Sequence, residues 1–385
     1  MKTLTTTEEL RTFCQDAAKH PYVTVDTEFL RERTYYSKLC LIQVAYPGEG
    51  DENAVLVDPL AKELSLEPLY ELFRDESVVK VFHAARQDLE IFWVDAKVFP
   101  KPLFDTQVAA MVCGFGDQAG YETLVRKIVK EGVDKSSRFT DWSRRPLSDA
   151  QKTYALADVT HLRTVYEFLA AELEKSGRSH WVTEELQVLT SPATYDIQPQ
   201  DAWRRIKTRT NSAKFLAVVR ELAAFRESYA QTNNVPRTRV YKDDALVELA
   251  STKPKNGSDL GASRLLLREA RRGAIADGIL AAVERGVNCP ADQMPKPDRS
   301  KEKLQVNPAL ADLLRVLLKS KTESAGVAAK LIAPSSDLDA IAAGQRDVAA
   351  LSGWRLEVFG ADALRLCDGE IALAAKGQTV KVVEL

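Results

Sequence analysis

Asp26 and Glu28 lie two residues apart in YVTVDTEF (Tyr22–Phe29), a β-branched run that favours a strand. Side chains alternate along a strand, so the two carboxylates project from one face and Val23, Val25 and Thr27 from the other. Neighbouring carboxylates repel each other. Either one of them takes a proton or a cation sits between them. Hard oxygen donors with no His or Cys beside them favour Mg²⁺ or Mn²⁺ over zinc. The same pair would also suit an edge strand with a wet acidic face, and a D-x-E triplet by itself does not separate the two readings.

Tyr154 and Asp158 fall in YALAD, four residues apart and so on one face of a helix. A phenol beside a carboxylate suits the handling of a water molecule, the hydroxyl orienting it while the carboxylate holds a cation. The spacing is equally ordinary for an amphipathic helix. Asp88, in HAARQDLEIF, directly follows the apolar run VVKVF. It would project from the first helical turn beyond a strand's C-terminal end, a frequent place for functional groups in α/β folds. A helix-start acid favoured by the helix dipole fits the same position.

The elements that must position these groups read as strands first and helices later. Tyr22–Phe29, Leu39–Tyr46, Ala54–Asp58 and Val78–Phe82 are short strand-like runs, the first three spaced as a meander of hairpins. Helical periodicity follows at Ala84–Trp93, Thr106–Cys113, Tyr121–Glu131 and Ser148–Lys175. Ser148 with Gln151 three residues on has the form of a capping box. Asp105 is read as a structural cap before Thr106, and the loop Gly114–Gly120 is given no role. The pattern implies a mixed sheet with helices packed on it. Prolines in Ser191–Pro199 and Asn288–Ser300 mark two linkers, dividing the chain into expected domains at 1–195, 200–288 and 300–385. The parts beyond residue 200 read as helical throughout. A chain ending near Pro199 is expected to fold alone with every catalytic group.

Taken together and in order, D-x-E on a strand, Asp after a strand-to-helix turn and Y-x-x-x-D on a helix resemble the DEDD exonuclease superfamily, tyrosine-bearing subgroup. The stretches VDTEFLRERTYYSKLCLIQVA, FHAARQDLEIF, LFDTQVAA and DKSSRFTDWSRRPLSDAQKTYALADVTHL resemble the ribonuclease D family in particular, densely from Asp26 to Glu174. The resemblance implies an α/β ribonuclease H-like exonuclease domain followed by two all-α HRDC-type domains. It implies 3′→5′ hydrolysis of RNA ends to nucleoside 5′-monophosphates with two divalent cations, Mg²⁺ or Mn²⁺. Asp26, Glu28, Asp88 and Asp158 would be the metal ligands and Tyr154 would orient the attacking water. The histidine-bearing subgroup is disfavoured, because Thr153 occupies its base position and His161 comes too late in the chain. The segment AFRESYAQTNNVPRTRVYKDDALVELASTKP resembles the helicase-and-RNase-D C-terminal (HRDC) domain, and SGWRLEVFGADALRL looks like a divergent second copy. A related exonuclease acting on DNA, and a non-catalytic RNA-binding protein with a nuclease fold, are the competing readings. Trimming of tRNA precursors is the role the resemblance suggests.

Composition agrees with a nucleic-acid partner only locally. The whole chain carries −2, yet Trp203–Ile275 holds sixteen Lys/Arg against seven Asp/Glu, a local +9 that leaves −11 for the remainder. A charge run of this kind is either a solvated face or a phosphate-binding one. Arg204, Arg205, Lys207, Arg209, Arg237, Arg239 and Lys242 are the candidate RNA contacts there. Trp142, Arg144 and Arg145 in DWSRRP are candidates for phosphate contact or base stacking, although a core position suits Trp142 equally well. Five scattered cysteines without a C-x-x-C argue against a disulfide framework or zinc site. The opening MKTLTTTEEL lacks the apolar core of a signal peptide, no apolar run approaches the length of a bilayer span, and a cytoplasmic protein without an evident obligatory protein partner is expected.

Overall fold

The computed structural model describes residues 1–134, 137, 140–210, 212–296 and 305–385. Parts of DKSSRFTDWSRRP and of the second expected linker, and the start of the third expected domain, lie outside the described residues. The N-terminal part is a six-stranded mixed sheet. Its strands are β1 (Lys2–Leu4), β2 (Tyr22–Leu30), β3 (Lys38–Ala45), β4 (Ala54–Val57), β5 (Val79–Phe82) and β6 (Leu103–Asp105), in the order β1-β4-β3-β2-β5-β6. The β2–β3–β4 meander is antiparallel, while β5 pairs parallel to β2 and β6 parallel to β5. The strand carrying Asp26 and Glu28 is therefore central, which removes the edge-strand reading of that pair. The three-residue strands β1 and β6 are too short to stand out by periodicity.

Helices α1 (Thr7–Ala17), α2 (Glu67–Arg74) and α3 (Arg86–Ala96) cover one face of the sheet. Leu10, Phe73, Leu89 and Phe92 meet Val23, Val25, Ile42 and Val55 in that layer. The other face is covered by α4 (Thr106–Val112), α5 (Tyr121–Leu124) and the long α6 (Asp149–Ser176). The capping box of Ser148 and Gln151 starts α6, and Gly177, with φ +69°, ends it in the left-handed conformation glycine tolerates. Leu156 and Val159 pack on Leu41 and Leu56, and the Thr24 hydroxyl donates to the Val159 carbonyl at 2.8 Å. That bond ties α6 directly to the central strand.

The first expected linker is not slack. Tyr195 is buried with its ring 5.5 Å from Phe99, and Asp196 accepts from Trp93 Nε1 at 2.8 Å. This pinned segment follows α7 (Ser179–Leu189). Beyond it, α8 (Ala213–Thr232), α9 (Arg237–Val240), α10 (Asp243–Thr252), α11 (Gly257–Ala262) and α12 (Gly273–Val287) enclose a core of their own around Leu222, Tyr241, Leu246 and Ile279. Between α11 and α12 the chain is not one continuous helix, and only a short 3₁₀ turn, Glu269–Arg271, intervenes.

The last unit comprises α13 (Pro308–Ala325), α14 (Ala329–Ile332), α15 (Ser335–Ala342), α16 (Gly353–Arg355) and α17 (Ala361–Asp368), then an antiparallel hairpin of β7 (Ile371–Lys376) and β8 (Thr379–Glu384). It is not all-α. Ile371 and Leu373, then Val380 and Val382, alternate as strands do, and Gly377 turns between them at φ +63°.

This unit does not own a separate core. Leu314, Leu317, Trp354 and Phe359 belong to one apolar cluster with Ala109, Leu124, Leu162 and Trp181 of the nuclease part. The indoles of Trp181 and Trp354 stack at 4.6 Å, and Arg355 pairs with Glu185 at 2.6 Å. A Cβ at Gly114 would sit 2.8 Å from the Gly326 carbonyl, and Gly114 has φ +81°, so the Gly114–Gly120 loop permits this docking. The packing argues against independent folding of a chain cut near Pro199, because α4 and α7 would be left with an uncovered apolar face.

Trp354 is 1% exposed, so Trp354→Ala should cost about 3–5 kcal/mol and lower the midpoint of the nuclease part together with that of the last unit. Denaturant unfolding followed by nuclease-part probes would show this; a nuclease transition that stays put would mean that the cluster is two separable cores.

Candidate active site

Three carboxylates converge from two elements. Asp26 and Glu28 on β2 and Asp158 on α6 each place an oxygen within 4.8 Å of the others. The strand period sets the first two side by side, and the Thr24–Val159 bond holds the α6 turn that carries the third against the same strand. Burial lifts the Asp26 carboxyl to about 6, against a single lowering bond from the Thr27 N–H.

Asp88, on the first turn of α3, lies outside this triple. It is 6% exposed, and its carboxylate accepts a short hydrogen bond from the Thr27 hydroxyl. Burial first, and then the charge of Asp26, push its carboxyl well above the usual range. Asp26 and Asp88 thus sense one another across Thr27. Such a set cannot ionise fully without a compensating positive charge. Every donor is a hard oxygen, so the residues present fit divalent cations of the Mg²⁺ or Mn²⁺ kind.

The turn delivering Asp88 is braced from a distance. Ala84 adopts φ +58° between β5 and α3, a conformation that costs a non-glycine residue free energy. Asp105 holds it. One carboxylate oxygen accepts from the Ala84 N–H at 3.0 Å, the other from the Ala85 N–H at 2.9 Å, and the first also caps α4 at Gln107 N, 2.8 Å. The cap was legible in the sequence; the bond to the turn after the preceding strand was not.

A cavity of about 420 Å³ opens over the cluster, lined by Asp26, His83, Gly120, Tyr121, Tyr154 and Asp158 among others. Tyr154 is therefore placed with the carboxylates, its ring 6.0 Å from that of Trp142. Tyr121 was read only as the start of a helical run, and no motif marked it out. Its hydroxyl donates to the Asp158 carbonyl at 2.7 Å and the Ala157 carbonyl at 3.1 Å, fixing the backbone beneath the metal-ligand candidate. His161 is turned elsewhere, 3.8 Å from Glu131.

The candidate RNA contacts divide sharply. Trp142 is 2% exposed and packs beneath Tyr154, so its indole is not available to stack on a base. Arg145 is committed to Asp58 at 2.6 Å and to the Cys40 carbonyl. Arg237 makes a two-pronged pair with Glu227 at 2.5 and 2.6 Å over the Tyr35 ring. These three are structural. Arg204 carries the exposed i,i+3 pair with Asp201 and lies over the Trp203 ring, and the Arg144 side chain is 85% exposed. Arg205, Lys207, Arg209, Arg239 and Lys242 are exposed as well.

Comparison with known proteins adds a second line. Residues 1–174 match the family model described as 3′-5′ exonuclease, and residues 215–283 match that of the HRDC domain. The chain is 67% identical over 383 residues to ribonuclease D of Jannaschia sp. (strain CCS1), covering 100% of this chain and 99% of the relative. It is 49% identical over 384 residues to ribonuclease D of Nitrobacter hamburgensis, covering 99% of each. The crystal structure of Escherichia coli RNase D, an exoribonuclease involved in structured RNA processing, superposes with a TM-score of 0.83 at 29% identity, covering 96% of this chain and 98% of that one.

The raised Asp26 carboxyl makes a thermodynamic prediction. Its folded-state value exceeds the ordinary 3.8, so its contribution favours the fold below that pH and is lost as pH rises through about 6. Mg²⁺ or Mn²⁺ should therefore raise the melting temperature more at pH 8 than at pH 5; a cation at a hundred times its dissociation constant adds about 2.7 kcal/mol of stability. Asp26→Asn should raise the melting temperature of the metal-free protein and abolish most of the cation increment. Equal increments at both pH values, or a wild-type increment in Asp26→Asn, would remove the cluster as the cation site.

Proposed function

Because this chain belongs to the ribonuclease D family and is a 3′→5′ exoribonuclease, we infer that Asp26, Glu28, Asp88 and Asp158 hold two divalent cations and that Tyr154 orients the water attacking the terminal phosphodiester. The observation that carries this reading is the convergence of Asp26, Glu28 and Asp158 within 4.8 Å, under a cavity that Tyr154 also lines. Cations bound there would stabilise charge on the phosphoryl and leaving oxygens. The chain's own residues do the rest. Asp26, Glu28 and Asp158 set the position of the positive charge, and Asp88, held by Thr27, supports its far side. The Tyr154 hydroxyl aligns water with phosphorus. A new P–O bond forms as the bond to the 3′ oxygen of the penultimate nucleotide breaks, and that oxygen takes up the proton. Tyr121 holds the Asp158 backbone in register while this happens.

RNA is the substrate class; precursor tRNA is the particular substrate we propose, in keeping with the structured-RNA role stated for the Escherichia coli relative. The expected division into parts at 1–195, 200–288 and 300–385 is kept as a proposal for function, with the middle part, which holds the HRDC match and the whole +9 segment, gripping RNA. Among the described residues no helix is long and apolar enough to cross a membrane.

End-labelled RNA and DNA of one sequence, incubated with Mg²⁺, Mn²⁺ or chelator, test the reading. Mononucleotide should leave RNA from the 3′ end only when cation is present; preference for DNA, or no release at all, would favour one of the competing readings. Tyr154→Phe keeps the ring and removes the hydroxyl. Its turnover should fall on the order of a hundredfold with RNA affinity nearly unchanged, and an unaltered turnover number would reduce Tyr154 to a packing residue.

A further inference from the structure

A second polar cavity, of about 340 Å³, lies where the nuclease part meets the HRDC part. Four arginines line it from three directions. Arg31 follows β2, Arg86 opens α3, and Arg205 and Arg237 come from the second part; Gln87, Tyr35 and Glu90 complete the polar wall. Two of the guanidiniums are already neutralised, Arg31 by Glu90 at 3.0 Å and Arg237 by Glu227. Arg86 and Arg205 have no carboxylate within ion-pair distance among the described residues. Their charges are felt nearby, that of Arg205 at Glu227 and that of Arg86 at Tyr195. Like charges gathered in a concave cleft focus a positive potential. Guanidinium forks match phosphate oxygens better than any other side chain does.

Hydrogen bonds tie the pocket's walls together across the two parts. The Asn234 side chain accepts from the Tyr35 and Tyr36 N–H groups at 3.1 and 3.0 Å, and Gln231 donates to the Tyr35 hydroxyl at 3.2 Å. Its position relative to the catalytic cavity is equally defined. Ala84 lines the catalytic cavity while Arg86 and Gln87 line the second, on either side of one turn. Along the chain Glu28 and Arg31 are three residues apart, roughly 10 Å of extended strand.

We propose that this junction pocket binds a backbone phosphate of the RNA upstream of its 3′ end, with Arg86 and Arg205 as its principal contacts. The assignment rests on the nuclease reading for its direction, since it places the 3′ end over Asp26 and Asp158. Phosphate chemistry is shared by a free nucleotide product, and substrate length separates the two sources.

The test is Arg86→Gln with Arg205→Gln in the full chain. Both side chains are exposed and neither is in the catalytic set, so the double variant should fold and should turn over a dinucleotide as wild type does. For longer single strands its KM should rise about tenfold. RNA affinity measured in chelator across a salt series should lose about 1.4 from its log–log slope, since each lost contact to a single strand is worth about 0.7. Unchanged KM and slope at every length would overturn the proposal. An equal loss at every length, dinucleotide included, would also overturn it, in favour of a free-nucleotide or structural role. The chelator arm needs no hydrolysis. A wild type that binds with the variant-sensitive slope but releases no mononucleotide would leave the pocket standing and sink the nuclease reading instead.

Discussion

Mutual repulsion between carboxylates is the constraint around which this molecule is organised. Asp26, Glu28 and Asp158 are brought within 4.8 Å, and Asp88 is buried close enough to feel Asp26. No single element would hold such a set. A central strand supplies two members because its period leaves them no alternative face, and α6 supplies the third because Thr24 and Tyr121 bind its backbone at Val159 and Asp158. Asp88 arrives on a turn whose strained Ala84 is maintained by Asp105. The fold is thus stressed at the carboxylates proposed to hold cations, which is where stress would have a use.

Holding such a set requires stiffness, and the stiffness is drawn from more of the chain than the nuclease sheet. The apolar cluster beneath α4, α5 and α6 runs on through Trp181 and Trp354 into the last unit. That unit covers the far side of the helices that carry Asp158 and Tyr121. The middle part is attached differently. It keeps its own core and meets the nuclease through polar contacts at Tyr35, Asn234, Gln231 and Glu227. A polar joint of this sort resembles a transient interface more than a core, and it suits a module that meets substrate.

Much of the site was legible before any coordinates, for a local reason. Strand alternation at Asp26 and Glu28, helical spacing from Tyr154 to Asp158 and the Ser148–Gln151 cap each depend on residues within one or two turns of each other. What escaped is non-local. Tyr121 matters because it reaches the backbone of Asp158, 37 residues away. Asp105 matters twice, once to its own helix and once to Ala84, 21 residues back. The β7–β8 hairpin was hidden by its weak, alanine-rich alternation in IALAAK after a long helical stretch. The Gly114–Gly120 loop has no phosphate-cradle spacing, and its use is packing against Gly326.

The arginines carry the same argument to its end. In sequence, Arg145, Arg237 and Arg205 are equivalent: basic residues in basic neighbourhoods. In the fold their fates differ because of what reaches each one first. Asp58 meets Arg145 and Glu227 meets Arg237, and each pair is sheltered enough to persist in salt. Arg205 and Arg86 form no ion pair among the described residues, although both face a cavity. A guanidinium already satisfied by a buried carboxylate has little left to offer a phosphate, and swapping partners would strand the carboxylate. An unsatisfied one loses only water and counterions when phosphate arrives. The basic charge of Trp203–Ile275 is therefore not a uniform RNA-binding surface. Any capacity to bind phosphate would lie where internal partners are missing, and the junction beside the catalytic turn is one place where that deficit meets a cavity.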